Sequence, residues 1–377
     1  MQRSVRSSFN HALEVAIHYA NQLDVPLLVV YAIVTSYPGA NERGFAFLFE
    51  GLHEAQTSLA NRGIRLVVRE AKVVGENSTG GAAATAVPLT IVDTCKKVKA
   101  PLLVMDRAYE RLLRTWREDV CARVACPVLM VESDVVVPVD VVSPQPLSSA
   151  AALRRAHAPL LPQYLLPLPE GSLLHPSHAL PTFSASAPSP LFPDELEMHD
   201  PLALLSSLAD LDRSVPRVIF KRGGSTQAKL LLARFLRDRL RGYQAHRKEA
   251  AARHQSFLSP YLHFGHISPI YVALKVRQHS SSTPQDRRRF CDELLTWREM
   301  AVHFVYHHRE SYDRYEGIPR WARESLEEAA DQAEGGRRHA YSLTELEEGR
   351  THDLLWNAAQ EEMRVTGYMN NYMRMFW

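Results

Sequence analysis

Four strand-length runs rich in branched apolar residues divide the first 135 residues: 26–34, 64–70, 101–106 and 127–132. Between them the apolar residues recur at helical spacing. Phe9, Leu13, Ile17 and Ala20 precede the first run and Phe47 to Ala60 follows it. A loop with Gly75, Gly80 and Gly81 leads to a further helix, and another helix separates the last two runs. Helix and buried strand in alternation predict a parallel α/β sheet, because parallel strands need a crossover that a helix supplies. The series opens with a helix, whereas a doubly wound domain opens with its central strand. The pattern therefore predicts a strand upstream of Met1.

Residues 136–200 differ in kind. Twelve of the 23 prolines fall between Pro138 and Pro193, among Ser, Ala and Leu. Proline fixes φ and removes a donor, so this stretch reads as an extended, partly disordered connector between two domains. From about residue 202 the pattern is helical to the end. The net charge of +2 hides a strong local asymmetry. Eleven Lys and Arg lie between Pro216 and Pro260 against two acids, Asp238 and Glu249, while 324–348 is acidic. Such a run is either a solvated helix face or a surface for an anionic partner, a phosphate-bearing cofactor or a nucleic-acid backbone.

Several function classes are excluded by the text itself. There is no P-loop, GxSxG or HExxH, and Gly223-Gly224 precedes a helix rather than following a strand. His303 and His307 lack an accompanying carboxylate cluster, so no metal site is expected. Four cysteines, none in a CxxC pair, fit a reducing intracellular compartment. No apolar run reaches the length of a membrane span.

Three elements in the helical half carry chemistry. Gln255-Ser256-Phe257-Leu258-Ser259-Pro260 opens a short helix, where the hydroxyls of Ser256 and Ser259 either cap the helix or hold phosphate. Glu293 and Trp297, four apart in DELLTWREMAVHF, share a helical face. They suit recognition of a base, by its edge and its plane, or are simply a surface Glu and a core Trp. The third element, 351–377, holds Trp356, Trp377, Asn370, Asn371 and Arg374 among methionines. Buried tryptophans there either pack or carry electrons.

Together, and in this order, these elements resemble the class II branch of the photolyase/cryptochrome family. YPGANERGFAFLFEGL, LDRSVPRV, YDRYEGIPRWARESLEEAADQ and THDLLWNAAQEEMRVTGYMNNYMRM extend the resemblance to about four-fifths of the chain. It implies a Rossmann-like α/β antenna domain over 1–135, a Pro-rich linker over 136–201 and an all-α FAD-binding domain over 202–377. The family extends upstream with a first strand and continues past Trp377 by several helices, so both domains are expected to be incomplete. The implied activity is light-driven splitting of cyclobutane pyrimidine dimers in UV-damaged DNA by an electron from reduced FAD, performed by a monomer. A second, antenna chromophore accompanies FAD in such proteins, and in a eukaryote the destination would be the nucleus or an organelle. Carried over by position, Tyr243, Gln255, Ser256, Leu258, Ser259 and Arg374 fall at the flavin. Glu293, Trp297, Asn371 and Met375 fall at the dimer, and Trp356 and Trp377 in the electron-transfer chain. Two alternatives stand beside repair: a cryptochrome-like blue-light sensor, and a truncated chain that binds no flavin. The Glu293–Trp297 pair favours repair, because a sensor need not keep a dimer-binding carboxylate beside a stacking wall.

Overall fold

The structure is a computed structural model that describes residues 1–71, 83–177, 191–333 and 341–376. In the first part the four apolar runs form β1 (Leu28–Ile33), β2 (Arg65–Glu70), β3 (Leu103–Asp106) and β4 (Val128–Val131). Helices α1 (His11–Gln22), α2 (Glu42–Ala60), α3 (Ala83–Lys97) and α4 (Arg111–Arg123) alternate with them. Both ladders are parallel, as the helix–strand alternation requires: Leu28 opposite Arg65 through Ile33 opposite Glu70, and Leu103 opposite Val128 through Asp106 opposite Val131; a single antiparallel bridge joins Arg69 to Glu195.

The strands form two separate ladders rather than one continuous sheet. The strands β1 and β3 flank a cavity of about 520 Å³, whose other walls include Ala12 and Ala16 of α1 and Val120 of α4. Residues 1–4 bridge one end of it. The Met1 ammonium donates to the Val30 carbonyl (3.1 Å), and the backbone N–H groups of Gln2, Arg3 and Ser4 converge on Asp106 Oδ2 (3.0, 2.6 and 2.9 Å). Burial would raise the Asp106 pKa, but the Met1 ammonium, Arg117 and these N–H donors outweigh it and hold the carboxyl below its ordinary range.

The connector departs from the extended reading. It folds into α5 (Val139–Val142), α6 (Ala150–His157) and α7 (Leu161–Tyr164). Its prolines sit where a helix tolerates them: Pro138 caps α5 and Pro162 lies in the first turn of α7. The Ser149 hydroxyl accepts from Ala152 N to start α6. Val136, Val137 and Leu165 join the hydrophobic core of the helical half, which supplies the driving force the proline count concealed. Further along, Phe192 is fully buried, with the Arg69 guanidinium 4.9 Å above its ring.

The remainder is helical: α8 (Pro201–Ser207), α9 (Ser225–Asp238), α10 (Tyr243–His246), α11 (Ser259–His263), α12 (Pro269–Gln278) and α13 (Pro284–Asp292). A π-helical turn, Glu293–Trp297, leads into α14 (Arg298–His307), followed by α15 (Arg320–Ala333), α16 (Leu343–Glu347), α17 (Leu354–Thr366) and α18 (Asn371–Phe376). Helix α2 is the element both halves share. Its Phe45, Phe49, Leu52 and Leu59 pack on the strands, while Phe47 reaches into the helical core against Tyr261. The fit is close enough to demand glycine. A Cβ on Gly51 would lie 2.0 Å from His266 Nε2, and one on Gly223 would lie 2.1 Å from the Phe47 carbonyl.

Charge completes the junction. Asp134 is paired with Arg298 (2.5 Å) and Arg3 (3.1 Å), and Arg6 donates to the carbonyls of Gly265 (3.0 Å) and Ser133 (2.6 Å). Burial alone would raise the Asp134 pKa, but Arg298 and Arg3 outweigh it and hold the carboxylate well below its usual range.

Candidate functional site

Around residues 243–258 the backbone is held by glycine and by strain. Gly242, in the left-handed region (φ 84°), starts α10 and turns Tyr243 inward against Phe235 and Phe290. Burial, then the nearby Glu293 charge, pushes the Tyr243 hydroxyl up to about 12. Arg253 and Phe257 adopt positive φ (50° and 58°) without being glycine, a costly conformation found preferentially at binding sites. Between them Gln255 donates from Nε2 to the Arg247 carbonyl (2.9 Å), and its Oε1 is buried without a hydrogen-bond partner. The Ser256 hydroxyl accepts from Leu258 N (3.4 Å), Leu258 is buried, and Ser259 is the first residue of α11.

Glu293 and Trp297 are the two ends of the π-helical turn. Such turns are rare and occur mostly as single insertions at functional sites. The Trp297 ring is half exposed, at 50%. The Glu293 carboxylate has Arg247 Nη1 at 2.9 Å and Arg289 Nη2 at 2.8 Å from Oε1, yet neither aims an N–H along a hydrogen-bond direction, and that oxygen is buried without a hydrogen bond. Arg289 also reaches Asp292 (3.0 Å), which accepts two bonds from Arg154 of the connector, at 2.6 and 2.9 Å. An alternating charge chain, Arg154–Asp292–Arg289–Glu293–Arg247, thus runs along the turn. Sequence reasoning singled out its fourth member alone. The spacing of Arg289 from Asp292 and Glu293 was a usable signal; the contribution of Arg154, far away in the chain, was not.

The segment after α17 approaches from the other side. Tyr368 packs edge-on to Phe257 (4.9 Å between centroids), and Lys248 lies 5.7 Å from the Tyr372 ring. Arg43 of α2 fixes the approach by donating to the carbonyls of Met363 (3.1 Å) and Arg364 (2.6 Å) at the end of α17. The Tyr368 hydroxyl and Asn370 Nδ2 are buried within reach of each other, and Asn370 tempers the rise that burial imposes on the Tyr368 pKa. Gln255 Oε1 is thus left without a partner here, whereas Glu293 Oε1 meets two guanidinium groups. Asn371, Arg374 and Met375 on α18 are exposed instead. Arg374 Nη2 donates to Asn371 Oδ1 (3.2 Å), and the Asn371 amide lies 3.6 Å from the Met375 sulfur. Trp356 donates its indole N–H to the Leu346 carbonyl (3.0 Å); Trp377 lies outside the described residues.

A second cavity, of about 530 Å³, opens beyond the carboxyl end of β1, between the two halves. Val34, Tyr37, Trp116, Arg43, Lys221 and His263 line it, and the Trp116 indole nitrogen is buried without a partner. Parallel α/β folds bind ligands at such crevices. Among the described residues no cluster of His, Cys, Asp and Glu could hold a metal, and no helix is long and apolar enough to cross a membrane.

A family model described as DNA photolyase matches residues 1–172. A curated deoxyribodipyrimidine photo-lyase from Methanothermobacter thermautotrophicus is 36% identical over all 377 residues, which span 75% of that protein. Its namesake from Arabidopsis thaliana is 30% identical over the whole chain, which spans 71% of it. Among solved structures, a class III photolyase from Agrobacterium tumefaciens superposes with a TM-score of 0.69 at 21% identity, covering all of this chain and 70% of that one. An archaeal photolyase from Sulfolobus tokodaii, carrying two FAD molecules, gives 0.65 at 18% identity, with coverage of 100% and 72%.

Proposed function

Because the chain belongs to the DNA photolyase family, we propose that it repairs cyclobutane pyrimidine dimers in DNA under light, with FAD as its redox cofactor. The observation that carries this reading is the π-helical turn, which presents a carboxylate held between two arginines and a half-exposed indole. Native interiors satisfy nearly all buried polar atoms, and each one left alone costs about 1–3 kcal/mol. Gln255 Oε1, on a side chain tied to the Arg247 carbonyl, fits a group that a ligand completes.

The residues present fit FAD. Gln255 Oε1, Asn370 Nδ2 and the Tyr368 hydroxyl offer an acceptor and donors to a polar ring edge. Ser256, Leu258 and Ser259, at the start of α11, would hold the phosphates and the ribityl chain, and Tyr243 would close the pocket from behind. When bound, reduced FAD supplies the photoexcited electron that opens the cyclobutane ring and then takes it back. Arg374 and Met375, on the exposed α18, would close over the ring and the dimer, with Asn371 between them. Trp356 and Trp377 would carry electrons inward when the cofactor needs reducing.

The chain's own work at the dimer is recognition. The Glu293 carboxylate accepts an N–H from a pyrimidine edge, its orientation fixed by Arg247 and Arg289. The Trp297 ring stacks on a pyrimidine that has left the duplex, an interaction worth about 1–3 kcal/mol per base. The basic stretch 216–260 neutralises backbone phosphate. The cavity beyond β1, with its aromatic walls, suits a planar antenna chromophore. The motifs at 37–52 and 351–375 support placing the chain in the class II branch. Incubating the reduced protein with thymine-dimer DNA tests the reading: dimers should disappear under near-UV or blue light and persist in the dark. Persistence under both conditions would refute it.

A further inference from the structure

Arg154 belongs to the connector, yet its guanidinium lies 6.0 Å from the centre of the Trp297 ring. It is held there by two hydrogen bonds to Asp292, from Nε at 2.6 Å and from Nη2 at 2.9 Å. These use two of the five N–H donors of the group, leaving Nη1 and one hydrogen of Nη2 for another acceptor. The side chain is 44% exposed, so the unused donors face solvent beside the indole. Asp292 is fixed in turn by Arg289 (3.0 Å), and helix α6 is anchored by buried Leu153 and His157. The guanidinium is therefore preorganised at the rim of the turn, not a mobile surface charge.

We propose that Arg154 is a DNA-binding residue: it grips a backbone phosphate next to the pyrimidine that stacks on Trp297, and Asp292 positions it. This rests on the reading of Glu293 and Trp297 as the dimer site. A fork with donors to spare, locked by a carboxylate, matches the two oxygens of a phosphate diester, and arginine is the residue whose geometry does so. The connector, which reads from sequence as a spacer, then forms one jaw of the damage site. Substrate stacking and phosphate capture become neighbouring events on one π-helical turn.

The test is the affinity of the 377-residue protein for a thymine-dimer duplex and an undamaged duplex, measured by fluorescence anisotropy in the dark at several NaCl concentrations. For Arg154→Ala we expect dimer-duplex binding roughly tenfold weaker, and a slope of log K against log salt less negative by about 0.9, the signature of one lost phosphate contact. Arg154→Lys keeps the charge but cannot form the fork; it should restore the slope while recovering only part of the affinity. A merely structural role would change melting temperature or flavin content and leave the slope alone, and that result overturns the proposal. So does an Arg154→Ala protein that matches the wild type. If the wild-type protein itself fails to prefer the dimer duplex, the dimer-site reading falls and this inference with it.

Discussion

Two buried polar regions of this molecule are handled in different ways. At the junction of the halves, Asp134, Arg298, Arg3, Arg6 and Asp106 are locked together, with N–H groups and carbonyls supplying their partners. At the π-helical turn the Glu293 carboxylate sits between Arg247 and Arg289 beside a half-exposed Trp297, and Gln255 Oε1 is buried without a partner. Paired buried charge holds the two halves in one arrangement. A carboxylate beside an exposed indole and strained backbone is the arrangement proposed above for ligand recognition.

The contrast breaks most visibly at Asp134. Asp134→Ala strands Arg298 and Arg3, and removing one partner of a buried ion pair costs about 3–5 kcal/mol. A fall of that size in unfolding free energy, from denaturant titration, is expected, whereas a loss under about 1 kcal/mol would mean the network is hydrated and weak. Gly51→Ala drives a methyl into the His266 ring and should cost about 1–3 kcal/mol by overpacking.

pH probes the same junction. His11, His157 and His303 are pushed down to about 4, and His266 to about 3, chiefly by burial. Their folded pKa values lie below the unfolded value, so the stability they contribute is present above about 6.5 and lost as pH falls toward 4. Glu299, buried and accepting from Val136 N (2.7 Å), is pushed from 4.5 up to about 8 by burial, so its contribution is present in full below 4.5 and is lost progressively as pH rises to about 8. The melting temperature should therefore peak between the two limbs. Glu299→Gln should flatten the decline above about pH 6.5 and gain stability relative to wild type on going from acid to neutral pH; an unchanged decline would assign it elsewhere.

At the turn the expected stability effects are smallest. Gln255→Leu removes an orphaned acceptor and should shift stability by less than about 1 kcal/mol while reducing bound flavin. If flavin content is unchanged, Gln255 is only a structural residue.

How much of this was legible in sequence follows from the range of the interactions. Strands and helices of the first half announce themselves because burial on one side repeats locally, and each apolar run became a strand within about two residues. The connector's helices were hidden because prolines at caps and first turns look the same in sequence as prolines that break helices. Glu293 and Trp297 were visible as a pair, but the extra residue that widens their turn was not, since a π turn has no periodicity of its own. The partners Arg154 and Arg247 come from distant segments, and Asp134 meets Arg298 only after the two halves dock. The separation of β1 from β3 likewise depends on what lies between them, not on either strand.

The most direct measurement compares dimer repair by the reduced wild-type protein and by Glu293→Gln, under illumination and in darkness, at equal flavin content. Wild type should clear thymine dimers only in the light, and Glu293→Gln should fold equally well but repair at least about tenfold more slowly, a change of roughly 1.4 kcal/mol. Equal repair by the two proteins, or repair in the dark, would contradict the assignment of the π-helical turn as the damage site.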